Sequence, residues 1–124
     1  MLLDNRYYQL ISQEIAEGKG CFRIRLLPDC EVYRGHFPGN PVCPGVCQIE
    51  LIKECASRLT GRDLRIQTVQ QCRLTALASP TVCPELEVDV LASPAEGGFL
   101  VKASISDAAQ KYVDFKGEMN CQEA

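Results

Sequence analysis

Tryptophan is absent from the chain and histidine occurs once. Aromatic residues make up 6% of the sequence, too few for a base-stacking surface. A net charge of −3 and a pI of about 5.1 give no general attraction for polyanions, so no nucleic-acid partner is expected. No apolar run approaches the roughly 20 residues that a membrane-spanning helix requires, and no basic-then-apolar leader opens the sequence, so neither membrane association nor export is expected. The absence of Cys-x-x-Cys removes the zinc-ribbon and thioredoxin patterns. Neither an internal repeat nor a low-complexity linker divides the 124 residues, which read as one domain, 1–124, large enough to bury about two thirds of its unfolded surface.

Against these absences stand eight cysteines: Cys21, Cys30, Cys43, Cys47, Cys55, Cys72, Cys83 and Cys121. With no export signal they imply a reducing, cytoplasmic setting in which most thiols act as small core residues. Cys43 and Cys47, four residues apart and near His36, are the one arrangement that could suggest a metal or, since a helix start lowers a thiol pKa, a nucleophile; packing is the simpler reading, and no metal is assigned.

The patterning alternates between strand and helix periods. Tyr7 to Ile15 reads as a strand, Glu17-Gly18-Lys19-Gly20 as a hairpin turn, and Cys21 to Leu27 as a half-buried strand with Phe22, Ile24 and Leu26 on one face and Arg23 and Arg25 on the other. A helix is predicted over 44–60, with Pro44 at its first position and Gly61 as its cap. Its apolar arc holds Ile49, Leu51, Ile52, Cys55, Ala56 and Leu59, and its polar arc Glu50, Lys53, Glu54, Ser57 and Arg58. The remainder reads as strands: 64–77 with a bulge near Gln70-Gln71, then Leu86 to Ala92, Phe99 to Ile105 and Val113 to Cys121, with turns at Glu96-Gly97-Gly98 and 107–110. Two strands, one helix and three or four further strands predict an α+β fold, an antiparallel sheet covered by a single helix.

The densest information lies between Tyr33 and Ala56. Three prolines and three glycines fall between Gly35 and Gly45, fixing an irregular path that leads directly into the helix. The only histidine sits in this loop. A helix beginning at Pro44-Gly45-Val46 presents backbone N–H groups of Gly45 and Val46 at the positive end of the helix dipole, with no side chain at Gly45 to obstruct an approaching carbonyl.

Gly35-His36-Phe37-Pro38-Gly39-Asn40-Pro41-Val42-Cys43-Pro44-Gly45-Val46, followed by Gln48-Ile49-Glu50, resembles the signature of the 3-hydroxyacyl-[acyl-carrier-protein] dehydratases of the FabZ and FabA type. The likeness covers some twenty residues closely and the rest by its order of elements. It implies a hotdog fold, a sheet wrapped around one long central helix. It also implies dehydration of a (3R)-3-hydroxyacyl thioester on acyl carrier protein to the trans-2-enoyl product, with no cofactor. By this resemblance His36 is the base, Glu50 the acid and Gly45 N–H the main carbonyl donor, while the Val42 carbonyl orients the histidine. Glutamate at position 50 follows the FabZ pattern. Histidine and acid in each site come from different subunits in that family, which implies a homodimer or an assembly of dimers.

The chemistry is consistent with these assignments. Dehydration needs a base for the α proton, an acid for the departing hydroxyl and positive potential at the thioester oxygen. Imidazole, with an ordinary pKa of about 6.5, can be a neutral base near pH 7. The sequence also departs from the family. Glu54 stands where glutamine is common, the segment from Cys72-Arg73-Leu74 to Pro84 is longer, and Glu85 follows Pro84 where Gly-Asp is usual. Acyl chain length therefore stays open, and so does the pathway, whether bulk fatty acid synthesis or a specialised polyene or lipid modification. Pattern alone places Glu50 on a solvated arc, with Lys53 three residues on and the Glu54/Arg58 pair in ordinary surface ion pairing. Arg58, Arg62 and Arg65 could dock an acidic carrier protein or simply be solvated. Two rival functions remain: a hotdog thioesterase, which would release free thiol, and a non-catalytic acyl-carrier-binding module.

Overall fold

The structure is a computed structural model and describes residues 5–27, 45–76, 78 and 84–121. Its elements follow the order β1 (Tyr8–Ala16), β2 (Lys19–Leu26), α1 (Gly45–Thr60), β3 (Leu64–Leu74), β4 (Glu85–Ala95), β5 (Gly98–Ser106) and β6 (Lys111–Cys121). All strand pairs are antiparallel, and the sheet order is β1-β2-β4-β5-β6-β3. The expected architecture of one sheet with one helix is present.

Register follows from side-chain alternation. In β2, Phe22, Ile24 and Leu26 are fully buried or nearly so, and the intervening Arg23 and Arg25 lie opposite Glu87 and Glu85 on β4. A one-residue slip would drive both arginines into the core. The cross-strand ion pairs, 2.8 Å for Arg23 with Glu87 and 3.4 Å for Arg25 with Glu85, are exposed and reinforce that register by no more than about 1 kcal/mol each. The bulge expected near Gln70-Gln71 appears as a register shift between Val69 and Gln71, with a second shift between Ile66 and Thr68. The strand itself ends at Leu74; Leu77 lies outside the described residues.

Helix α1 packs across the concave side of the sheet, closest to β4. Leu51, Ile52, Cys55 and Ala56 join Phe22, Val88 and Ile105 in one continuous core. Ile52 is fully buried, so its truncation to alanine would cost about 2 to 5 kcal/mol in transfer and cavity energy. The helix ends at Gly61, whose φ of +69° suits a left-handed cap and whose N–H donates to the Ser57 carbonyl at 2.9 Å. Its start is at Gly45; Pro44 lies outside the described residues.

The expected polar arc of the helix requires correction. Glu54 is 1% exposed and Ser57 9% exposed, where both were expected in solvent. None of the described helix side chains is fully exposed. Ser57 is accommodated because its hydroxyl accepts the Leu64 N–H at 3.3 Å, tying the end of the helix to the start of β3. Among the described residues no helix is long and apolar enough to cross a membrane.

Candidate active site

Gly45 and Val46 open α1, so their N–H groups belong to the first turn, which has no intrahelical acceptor for them. Gly45 packs closely: a Cβ built there would meet Leu74 Cδ1 at 3.3 Å. The end of β3 is thus seated against the start of the helix. Leu74 is nevertheless 56% exposed, so one side of it touches the helix start and the other faces outward.

Glu50 follows in the second turn and is half-buried. Its Oε1 lies 3.1 Å from Lys53 Nζ, with side-chain exposures of 22% and 24%. The three-residue ion pair expected on the polar arc is therefore formed. His36 and Val42, the expected base and its orienting carbonyl, lie outside the described residues, as does Cys43. Cys47 is buried in the core, in keeping with a packing role.

The Glu54/Arg58 pair is not a surface ion pair. Tyr8, from the beginning of β1, stands between the two: its hydroxyl donates to Glu54 Oε1 at 2.9 Å and accepts from Arg58 Nη1 at 2.6 Å. The Arg58 guanidinium also lies over the Tyr8 ring, 5.4 Å from its centroid, a cation–π geometry. Tyr8 is fully buried, and burial pushes its phenol well above the usual tyrosine range, so it remains a donor across working pH. Arg58 is thereby withdrawn from the basic group weighed as either a carrier-docking patch or a solvated face, leaving Arg62 and Arg65 exposed. Nothing in the local pattern of β1 marks Tyr8 for this role; the one available signal was the acid at position 54.

Two other thiols are poorly suited to nucleophilic chemistry. Burial and a hydrogen bond with Asp89 push Cys21 up to about 11, and burial also raises Cys72. Two surface hollows, of about 450 and 710 Å³, lie elsewhere: one beside Arg23 and the Asp107 turn, the other across Leu91, Lys102 and Lys116 on the outer side of the sheet. Neither includes Gly45 or Glu50.

A six-stranded antiparallel sheet curled around one buried helix, with a glycine at the exposed-donor end, defines a hotdog-fold protein. Comparison with known proteins agrees and goes further. The ApeI-like family, described as ApeI dehydratase, matches residues 12–115. A 3-hydroxyacyl-[acyl-carrier-protein] dehydratase FabZ from Lactococcus lactis is 30% identical over 116 residues, covering 88% of this chain and 72% of the relative. The FabZ of Zymomonas mobilis is 28% identical over 93 residues, 67% of this chain and 59% of the relative. The chain belongs to the ApeI-like dehydratase family. Among solved structures, the dehydratase heterocomplex ApeI:P from Xenorhabdus doucetiae superposes with a TM-score of 0.76 at 22% identity, covering 92% of this chain and 97% of that one. An HP0420 homologue from Helicobacter felis gives 0.69 at 15% identity, covering 97% and 93%. At those identities the two structures speak for the fold alone.

Proposed function

We propose that the protein dehydrates a (3R)-3-hydroxyacyl thioester carried on acyl carrier protein, giving the trans-2-enoyl thioester. The observation that carries the reading is the helix start. Gly45 and Val46 present backbone donors at the positive end of α1, and Glu50 lies half-buried one turn further along. A thioester carbonyl placed at Gly45 would gain negative charge as the α proton leaves, and a preorganised N–H donor stabilises that charge by about 3 to 4 kcal/mol in acyl chemistry. His36 takes the α proton in this scheme and Glu50 gives a proton to the departing hydroxyl, so water leaves and the 2,3 double bond forms. The Val42 carbonyl sets the imidazole orientation. Membership of the dehydratase family and the FabZ relatives support the reaction class.

The proposal includes a partner subunit. β3 lies at one edge of the sheet, and on its inner face Val69 is 44% and Leu74 56% exposed. Opposite them on β6 stand Gly117 and Val113, which are buried. A long edge strand with no described strand on its outer side and with exposed apolar side chains is a pairing surface, and a second chain laid along β3 would cover Leu74 beside Gly45. We infer a second copy as that chain. The ApeI of the Xenorhabdus structure is part of a heterocomplex, so native mass spectrometry should distinguish a self-pair from a requirement for a different subunit.

The deciding experiment is mass spectrometry of a 3-hydroxyacyl carrier protein incubated with the chain and, separately, with His36→Ala. Loss of one water with the first alone is expected. Free carrier thiol would replace the proposal with a thioesterase, and an unchanged carrier bound by the chain across several acyl lengths would replace it with a binding module.

A further inference from the structure

We propose that Tyr8 and Arg58, acting through Glu54, are positioning residues that fix the direction in which the Glu50 carboxyl is presented. The inference rests on Glu50 as the proton donor and adds residues that the reaction scheme does not use.

A buried charged cluster needs a reason. Glu54 and Tyr8 are almost completely removed from solvent, and clusters of this kind can often be replaced by apolar side chains without loss of stability. Stability alone therefore does not explain the arrangement. What apolar side chains could not supply is a carboxylate held at one place, with its countercharge, the Arg58 guanidinium, on the other side of the Tyr8 hydroxyl.

Its hydrogen bonds run in one direction. A guanidinium can only donate, so the Tyr8 oxygen accepts from Arg58 and the phenolic proton is directed to Glu54 Oε1. Tyr8 belongs to β1 and not to the helix, so the Glu54 carboxylate is anchored from outside its own element. Side chains on a helix lean toward its N-terminus, over the preceding turn. Arg58 follows that rule, reaching back to the Tyr8 hydroxyl beside Glu54. By the same rule Glu54, four residues after Glu50 and so on the same helix face with Cβ atoms about 5 to 6 Å apart, leans over the turn that carries Glu50. Lys53 Nζ meets Glu50 Oε1 at 3.1 Å. In its ionised form Glu50 is thus drawn at Oε1 by the ammonium of Lys53 and repelled by a fixed carboxylate, which together select one orientation from the many open to a glutamate side chain and leave Oε2 to carry the proton that is later given up.

The test uses near-isosteric variants of the full chain: Glu54→Gln, which keeps an acceptor for Tyr8 but removes the charge, Tyr8→Phe, which removes the anchor, and Arg58→Lys. Turnover of a 3-hydroxyacyl carrier protein is measured alongside carbon-13 spectra of chain labelled at glutamate carboxyls, with the Glu50 resonance assigned by its loss in Glu50→Gln. Glu54→Gln and Tyr8→Phe should each lower kcat on the order of 10-fold with KM changed less than about twofold, because position and not affinity is lost. The double variant should be no worse than either single one, Arg58→Lys should retain most activity, and the Glu50 resonance should shift or broaden in both single variants. Lowered melting temperatures with unchanged kcat and an unchanged Glu50 resonance would overturn the proposal and leave a purely structural cluster. If the unmodified chain dehydrates no carrier, the reaction assignment fails by itself, and the Glu50 resonance still decides whether the cluster acts on that residue.

Discussion

Replacement of Gly45 by alanine should separate stability from activity. The added methyl would lie 3.3 Å from Leu74 Cδ1, a tight contact. Leu74 is 56% exposed and has room to turn aside; an off-rotamer adjustment costs about 0.5 to 1.5 kcal/mol. Alanine is favoured over glycine within a helix by up to about 1 kcal/mol. The two effects nearly cancel, and for a chain of this size a net change below about 1 kcal/mol moves Tm by no more than roughly 5 °C. Activity should respond quite differently. If the thioester oxygen must approach the Gly45 N–H, the methyl obstructs it, and loss of one such donor lowers kcat by about 10²- to 10³-fold, equivalent to about 2.7 to 4 kcal/mol. The assay pairs a thermal melt with steady-state conversion of a 3-hydroxyacyl carrier protein. Gly45→Ala/Leu74→Ala serves as the control: it relieves the contact with Leu74 but not the obstruction at the N–H, so activity should stay low. Conversion within threefold of the parent would refute the donor role of Gly45, and recovery in the double variant would trace the defect to Leu74 instead.

Three further outcomes follow from the same geometry. If base and acid come from different chains, mixing inactive His36→Ala with inactive Glu50→Gln should restore part of the activity after subunit exchange; no recovery after exchange proven by native mass spectrometry would rule out a shared site. Val69 is already 44% exposed in one chain, so Val69→Lys should leave the melting temperature of an isolated chain nearly unchanged and yet weaken subunit pairing, read as a shift toward monomer in sedimentation; an unaltered dimer would exclude β3 as the contact. Asp107 is held below its ordinary 3.8, first by the Tyr112 hydroxyl and then by backbone N–H groups of the β5–β6 turn. A lowered folded value means stability that is present above the unfolded value and is lost as pH falls through the folded one. Asp107→Asn should therefore melt below the parent at pH 7, and the gap should close as pH drops below about 3.8; a gap independent of pH would remove the carboxylate as its cause.

The sheet could be read in the sequence because its information is local. Alternation of Phe22, Ile24 and Leu26 with Arg23 and Arg25 sets a face, and the turns at Gly18 and Gly97 sit at φ of +72° and +75°, which glycine adopts without strain. Even the slip at Gln70-Gln71 was visible as a break in period two. The helix was legible in extent but not in surroundings. A helical wheel sorts residues by type and assumes one wet face, whereas no described side chain of α1 is fully exposed. Glu54 and Ser57 were misplaced for that reason. Their partners, the Tyr8 hydroxyl and the Leu64 N–H, come from strands on either side of the helix. Tyr8 is 46 positions from Glu54, a pairing that no local pattern encodes.

Leu74 links the edge strand to the start of the helix. It ends the edge strand β3, stands opposite the buried Val113 on β6, and touches the position where a Cβ on Gly45 would be. A side chain in those three relations would serve at once as part of the interface and as a wall beside the carbonyl donor. On the proposed reading, assembly and catalysis are then not separable properties. A chain without a partner along β3 would leave more than half of Leu74 in water, and water beside Gly45 would compete for the same N–H that the thioester needs. Covering β3 removes that water and lowers the local dielectric, which strengthens the interaction of the helix start with a developing oxyanion. The same burial would bring the exposed apolar face of β3 out of solvent at roughly 25 cal/mol per Å². The contact that stabilises the pair is thus the contact that dries the site.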